Sequence, residues 1–319
     1  MRQALSLALR ILAVAVVLFV GLSVAAVVSG VAQPPPETSG AAGAPPTDAG
    51  MAFLAVPLFC VLVAAVFSWM VLRSRLAGYQ LVGAAFLAYF GLGTLLPQME
   101  WVVFVPRHLP PGFVVRLFVM GALSGLVFAP AAPWFLGRRR RAQTPEPAPP
   151  RVARVGWRPI AFLAAAYVAL YFLAGYFVAY RNPELIAYYD DTDAGTFLAQ
   201  LGKIWATTPW LFAFQALRGV LWVGCVMPFL LTFQGRRFEL ALLIGCAYSV
   251  WAVMLLAPNA YMPESIRMSH LVETAASNFL FGCLVGATLA SEDVPAGTRA
   301  ASSAPPPIAS STTTPGVAV

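Results

Sequence analysis

Apolar residues gather in eight long stretches along the chain, and short polar or proline-rich segments separate them. A helix rises about 1.5 Å per residue, so about 20 apolar residues are needed to cross the roughly 30 Å of hydrocarbon in a bilayer. The eight stretches are close to that length. The pattern therefore predicts an all-α polytopic membrane bundle with eight transmembrane helices, at about residues 11–32, 51–72, 76–96, 113–136, 159–180, 209–233, 240–256 and 263–289.

The last stretch is too polar in its first half for a helix that only spans the membrane. Its polar residues recur at spacings of three and four, so on a helix they share one face. Such a face is unsuited to lipid and is predicted to point into the bundle. The residues concerned are Arg267, His270, Glu273, Thr274, Ser277 and Asn278.

The sixth stretch contains a second intramembrane cation, Arg218, and an amide, Gln215. Counted from Trp210, Arg218 lies about 12 Å into the membrane. An unpaired arginine at that depth costs at least a few kcal/mol, so a carboxylate should face it. Glu100 and Glu273 are the acids available on the same side of the membrane.

We therefore predict one ion-pair or ligand-binding network on the outer half of the bundle, between the third, sixth and eighth spans. The alternative is that these groups only fix how the helices pack. The predicted members are Glu100, Gln215, Arg218, Arg267, His270, Glu273, Ser277 and Asn278.

Composition agrees with one membrane domain. The chain has 319 residues, of which 60% are hydrophobic and 10% are charged, against about 25% charged residues in soluble domains. Its net charge of +7 comes from short basic runs between apolar stretches, without the aromatic interleaving of a nucleic-acid surface. Nucleic acid is therefore excluded as a partner, and membrane lipids are expected. The four cysteines lie inside apolar stretches and are expected to be free thiols.

The basic residues also predict orientation. Fourteen arginines fall on one side of the predicted bundle, and six basic residues fall on or near the other. The positive-inside rule makes the arginine-rich side cytoplasmic, with both termini there, in a bacterial-type inner membrane. Residues 137–158 then form a basic cytoplasmic loop, and the Pro-, Ala-, Ser- and Thr-rich residues 291–319 form a disordered cytoplasmic tail. Residues 11–32 could be a cleaved signal peptide, but their length favours a span.

The two halves of the chain follow the same weak pattern of spans, loops and basic turns. Residues 73–75, RSR, match residues 235–237, GRR, and Arg116 and Arg267 both begin the last span of their half. Because four spans restore the orientation of the chain, the pattern indicates two parallel four-helix repeats.

Three classes of function fit this pattern. Binding or transport of a small, anionic or lipid-like molecule needs only a polar cavity, lined by Arg218, Arg267, Glu273 and Asn278. A metal-dependent hydrolase could use His270 and Glu273, which at i and i+3 can ligate one metal, together with Glu100 and His108. A protein of membrane assembly needs neither.

The sequence contains no H-E-x-x-H, G-x-S-x-G or phosphate-loop motif. We therefore expect no cofactor, and we place binding or transport of a small molecule ahead of catalysis.

Overall fold

The computed structural model describes residues 2–32, 49–104, 109–138, 156–193, 195–258 and 261–290. Most of the predicted loop at 137–158, all of the predicted tail at 291–319 and His108 lie outside these residues. The α-helices of the described part are α1 (Arg2–Ser29), α2 (Ala49–Arg73), α3 (Gly78–Phe90), α4 (Leu96–Phe104), α5 (Phe113–Phe135), α6 (Trp157–Phe177), α7 (Pro183–Tyr188), α8 (Phe197–Thr207), α9 (Trp210–Thr232), α10 (Arg237–Ser249) and α11 (Glu264–Leu289).

Eight helical segments of the described chain are long and apolar enough to cross a membrane, which confirms the predicted all-α polytopic bundle. Large apolar side chains cover the outside of these segments, among them Val27, Phe53, Leu126 and Leu280. Such a surface is matched to lipid and unfavourable in water. The segments are Arg2–Ser29, Phe53–Arg73, Gly78–Phe104, Phe113–Phe135, Trp157–Arg181, Trp210–Thr232, Arg237–Leu256 and Glu264–Leu289.

The third segment extends further than the sequence pattern predicts. A π-helical turn, Gly91–Leu95, follows α3, and α4 then continues the helix to Phe104. Pro97 has no N–H to donate, and it comes just after the turn in which the N–H of Leu96 reaches back to the carbonyl of Gly91. Glu100 therefore lies on a helix, where the hydropathy pattern had ended the span at residue 96.

The helices of each half pair in the same order. In the first half α1 packs on α2 and α5, and α3 packs on α5. In the second half α6 packs on α9 and α11, and α10 packs on α11. The halves meet where α2 lies against α10 and the following 3-10 segment, and where α9 lies against α3, the π turn and α4. This is the set of contacts expected of two related four-helix units.

Two further features match between the halves. Helices α3 and α10 both run for 13 residues, and a non-α turn follows each, Gly91–Leu95 in one and Val250–Leu256 in the other. Each also carries a buried tyrosine at its twelfth residue. The Tyr89 hydroxyl bonds to Ser124 Oγ at 3.1 Å, and the Tyr248 hydroxyl donates to the carbonyl of Trp222 at 2.7 Å. The helix lengths and the tyrosine positions therefore agree with parallel repeats, whereas the hydroxyl groups bond to helices that do not correspond, α5 and α9.

The turns after α2 and α9 pair through their backbones. The N–H of Arg75 donates to the carbonyl of Thr232 at 2.9 Å, and the N–H of Gln234 donates to the carbonyl of Arg73 at 2.6 Å. Between them Ser74 and Phe233 form an antiparallel bridge. This short ladder joins the two halves of the chain.

Several arginines gather at the end of the bundle where these turns lie, which we call the basic end. Arg73 pairs with Glu239 at 2.6 Å, and Arg237 donates to the carbonyl of Ala287 at 2.9 Å. Arg138 also donates to the carbonyl of Ser74. The polar half of α11 lies at the opposite end.

Glycines bring α10 and α11 into backbone contact. A Cβ atom placed on Gly286 would lie 2.6 Å from the Cα of Ala241, and one on Gly282 would lie 2.7 Å from the Cα of Gly245. No side chain fits at either position, so the two helices pack closely through their backbones.

Replacing Gly286 by leucine should therefore lower the thermal unfolding midpoint of the purified protein, because overpacking costs about 1–3 kcal/mol. The matched control is the same substitution at Gly224, where an added Cβ meets no atom within 4 Å. Equal midpoints for the two variants would contradict the close packing of α10 and α11.

Candidate functional site

Arg218 lies in the interior of the bundle. Helix α9 turns Leu211, Gln215, Arg218 and Trp222 to one buried face, at spacings of four, three and four residues. A face of this kind normally carries apolar side chains, so the guanidinium must find its partners inside the protein.

The guanidinium of Arg218 has polar partners on two helices. Its Nη1 pairs with the carboxylate of Glu100 on α4 and donates to Oε1 of Gln215 at 2.8 Å. The rings of Tyr167 and Phe214 lie 5.7 and 5.9 Å from its central carbon, within cation–π range. The extension of α4 beyond the π turn places Glu100 at this level.

A second polar group lies on α11 and connects to the segment after α6. Nδ1 of His270 is 2.8 Å from Oε2 of Glu273, and Nε2 of His270 is 2.8 Å from the hydroxyl of Tyr189. Burial raises the pKa of Tyr189 well above its usual value, so the phenol keeps its proton. A carboxylate can only accept, so Nδ1 of His270 donates to Glu273 when Glu273 is a carboxylate. When the ring is also neutral, Nε2 accepts from the hydroxyl of Tyr189.

Helix α6 lies beside both groups. The ring of Tyr167 is 5.7 Å from the central carbon of Arg218, and a Cβ atom placed on Gly175 would lie 3.6 Å from Oε1 of Glu273. The site is therefore built from α4, α6, α9 and α11, with Tyr189 approaching from outside the span.

Helix α7 covers the start of α11 next to this site. Asn182 caps α7 by accepting from the N–H of Glu184 at 3.0 Å, and it also donates to Ser269 Oγ on α11 at 2.9 Å. The hydroxyl of Tyr188 donates to the carbonyl of Tyr261 at 2.8 Å. These contacts place the end of α7, and hence Tyr189, over His270.

The carboxylate of Asp191 holds α8 against the segment that covers the site. Its carboxylate accepts from Lys203, from the Tyr180 hydroxyl at 2.7 Å and from the N–H of Thr192 at 2.8 Å. Burial alone would raise the pKa of Asp191, but these hydrogen bonds outweigh it and hold the pKa below its usual value.

The predicted members of the site divide into three sets. The structure brings Glu100, Gln215 and Arg218 together, and it brings His270 and Glu273 together. Arg218 was expected to face Glu273 as much as Glu100, but its ion pair is with Glu100.

The remaining predicted residues do not join the network. Arg267 donates to the carbonyls of Leu255 and Leu256 at 2.9 and 3.2 Å, because the end of the 3-10 segment offers free carbonyl groups there. Ser277 donates to the carbonyl of Glu273 in its own helix at 2.7 Å. Asn278 is buried in the bundle.

Sequence reasoning missed the aromatic part of the site. Tyr167 lies in a stretch that reads as a plain apolar span, and nothing in its spacing marks it. Helix α7 did leave a signal, since Asn182 followed by Pro183 is a helix-start pattern.

Several buried polar atoms at the site have no partner in the structure. They include Nε of Arg218, Nε2 of Gln215 and Oε1 of Gln98. Buried polar groups are nearly always hydrogen-bonded, so orphaned atoms require explanation. Two of the three are donors beside the same ion pair, and they call for an acceptor.

A groove lies at the other end of the molecule. It runs between the start of α1 and the end of α5 and is lined by Arg2, Ser6, Arg10 and Phe135 among others. It includes no residue of the polar network.

Within the described residues, no three His, Cys, Asp or Glu side chains come together as a metal site. His108, named in the metal alternative, lies outside those residues.

Comparison of the chain with protein-family models, with curated proteins and with solved structures found no match in any of the three. The function must therefore be inferred from the site.

Loss of Glu100 and loss of Arg218 should lower the free energy of unfolding by different amounts, because the Arg218 side chain is 3% exposed and that of Glu100 is 37% exposed. Glu100→Ala leaves a buried cation uncompensated and should cost about 3 kcal/mol or more of stability. Arg218→Met leaves a carboxylate that is only partly buried, and should cost less. The thermal midpoints of both variants and of the double variant check this, and a larger loss for Arg218→Met would contradict it.

Asp191 should make stability depend on pH. Because its folded-state pKa lies below its usual value of about 3.9, it stabilises the folded state above that pH, and the stabilisation is lost as the pH falls through the lowered pKa. Asp191→Asn should therefore lower the thermal midpoint at neutral pH. The difference from wild type should shrink steadily below about pH 4. A difference that stays constant down to acid pH would refute this assignment.

Proposed function

We propose that this multi-pass membrane protein binds a small molecule at the polar site and transports it across a bacterial-type inner membrane. The observation that carries the proposal is the pair of buried donors without partners, Arg218 Nε and Gln215 Nε2. A network that served only to hold helices together would be expected to satisfy its own donors, since each orphan costs about 1–3 kcal/mol. A bound acceptor removes that cost.

The arrangement of charges supports an outward-facing site. Arg73, Arg138 and Arg237 lie at the basic end, and the network lies at the opposite end. The positive-inside rule would place the basic end in the cytoplasm. An even number of spans then puts both termini there, and the site faces the outside.

Interrupted helices next to the site favour transport over static binding. The π turn Gly91–Leu95 directly precedes the helix that bears Glu100, and the 3-10 segment Val250–Leu256 precedes α11. Such departures from α-helical hydrogen bonding mark hinges and binding sites in membrane proteins. They allow the outer part of a span to move while its inner part stays packed.

The metal-hydrolase alternative is disfavoured by the hydrogen bonds of His270. Both of its ring nitrogens are engaged, one with Glu273 and one with Tyr189. A neutral imidazole ligates a metal through a free lone pair. His270 would have to lose Tyr189 to provide one.

The proposal predicts that a small molecule co-purifies with the protein. The protein would be extracted in a mild detergent and denatured, and the released compounds below about 500 Da would be identified by mass spectrometry, a range that covers drug-sized ligands. Wild type should retain at least one compound that Gln215→Leu loses at equal thermal stability.

Glu239→Gln is the matched control, because Glu239 lies at the basic end and should leave retention unchanged. A folded wild type with no retained compound in detergent or in native-lipid nanodiscs would refute binding. A failure of Gln215→Leu to fold while Glu239→Gln folds would favour the structural role.

A further inference from the structure

We infer that the ligand is a small zwitterion, with an ammonium group and a carboxylate or phosphate group on one molecule. The inference rests on the proposed function and names the ligand class of the same site. It differs from the anionic ligand that the sequence alone suggested, and it depends on the charges and orphan donors that the structure brings together.

The charges of the site argue against a lone anion. Arg218 supplies one positive charge, while Glu100 and Glu273 supply one negative charge each. His270 adds either none or one, depending on its protonation. The site is therefore neutral or carries one net negative charge. In a poorly screened interior, a free anion would meet the carboxylates without compensation.

The orphan donors argue equally against a lone cation. Nε of Arg218 and Nε2 of Gln215 are buried donors without an acceptor in the structure. An ammonium group carries only donors, so it cannot serve as that acceptor. The guanidinium already has Glu100 on Nη1, so its Nε remains for a ligand oxygen. A carboxylate or phosphate group has several acceptor oxygens and could accept from each of these donors.

The carboxylate of Glu273 provides the complementary position for an ammonium group. When His270 is neutral, it gives Glu273 a hydrogen bond but no opposite charge. Helix α6 runs past both positions, because the ring of Tyr167 lies 5.7 Å from the central carbon of Arg218 and a Cβ atom on Gly175 would lie 3.6 Å from Oε1 of Glu273. One ligand with opposite charges at its ends would satisfy both positions.

Two kinds of molecule carry both charged groups, a free zwitterion and the headgroup of a phosphoethanolamine lipid. Two series of probes separate the charge classes, each with a zwitterion, an anion and a cation that resemble its parts. The phosphate series is glycerophosphoethanolamine, glycerol 3-phosphate and ethanolamine, and the carboxylate series is glycine, acetate and methylamine. Nanodiscs of phosphatidylethanolamine or phosphatidylglycerol test the lipid source.

Binding would be measured as the shift in thermal midpoint with probe concentration, for purified wild type at neutral pH. In at least one series the zwitterion should bind about tenfold or more tightly than its anion and its cation. If the lipid is the source, phosphatidylethanolamine nanodiscs should stabilise the protein above phosphatidylglycerol nanodiscs. Glu239→Gln should match wild type in every arm.

Glu273→Gln removes the acidic position and should shift the preference from zwitterion towards anion by about tenfold. This change in selectivity is not expected from a structural defect, which would weaken all probes together. The inference is overturned if in both series an anion or a cation binds wild type as tightly as its zwitterion, and also if no probe and neither nanodisc shows a preference. Compound retention in the preceding experiment then shows independently whether the site binds another ligand.

Discussion

The cost of holding the Arg218 guanidinium inside an apolar bundle constrains much of the surrounding structure. An isolated charge there would be unfavourable by several kcal/mol or more, so neighbouring elements must supply partners. Helix α4 has to continue beyond its π turn to bring Glu100 to the right level. Helix α9 supplies Gln215 one turn away, and α6 supplies an aromatic face. Three spans are thus held in one arrangement by a single side chain.

A second constraint acts through hydrogen-bond direction. A carboxylate accepts only, so Glu273 sets which nitrogen of a neutral His270 carries the proton, and Tyr189 then donates to the other nitrogen. Tyr189 belongs to the segment that covers the site, outside the span. Protonation of the neutral ring would therefore reverse the hydrogen bond with Tyr189, so one imidazole links the covering segment to the carboxylate of Glu273.

Much of this architecture follows from hydropathy and helix periodicity, because a helix in lipid must be apolar outside and can be polar only where it meets protein. That rule was sufficient for the eight spans and for the grouping of Glu100, Gln215 and Arg218. It could not predict that Arg267 donates to the carbonyls of Leu255 and Leu256. These carbonyls are available because a 3-10 helix ends there, and the hydropathy pattern does not show where a 3-10 helix ends. It could not predict the contact of Tyr167 with Arg218 either, since Tyr167 lies in a stretch that has the pattern of a plain apolar span.

The ladder between the turns at Ser74 and Phe233 has a consequence for how such a chain can diverge. Its hydrogen bonds are made by main-chain groups, which every residue except proline possesses. Substitution of the side chains leaves these bonds intact, so the two halves could lose nearly all resemblance in sequence and still meet at the same place. The place where the two halves meet is thus set by backbone geometry and not by particular amino acids.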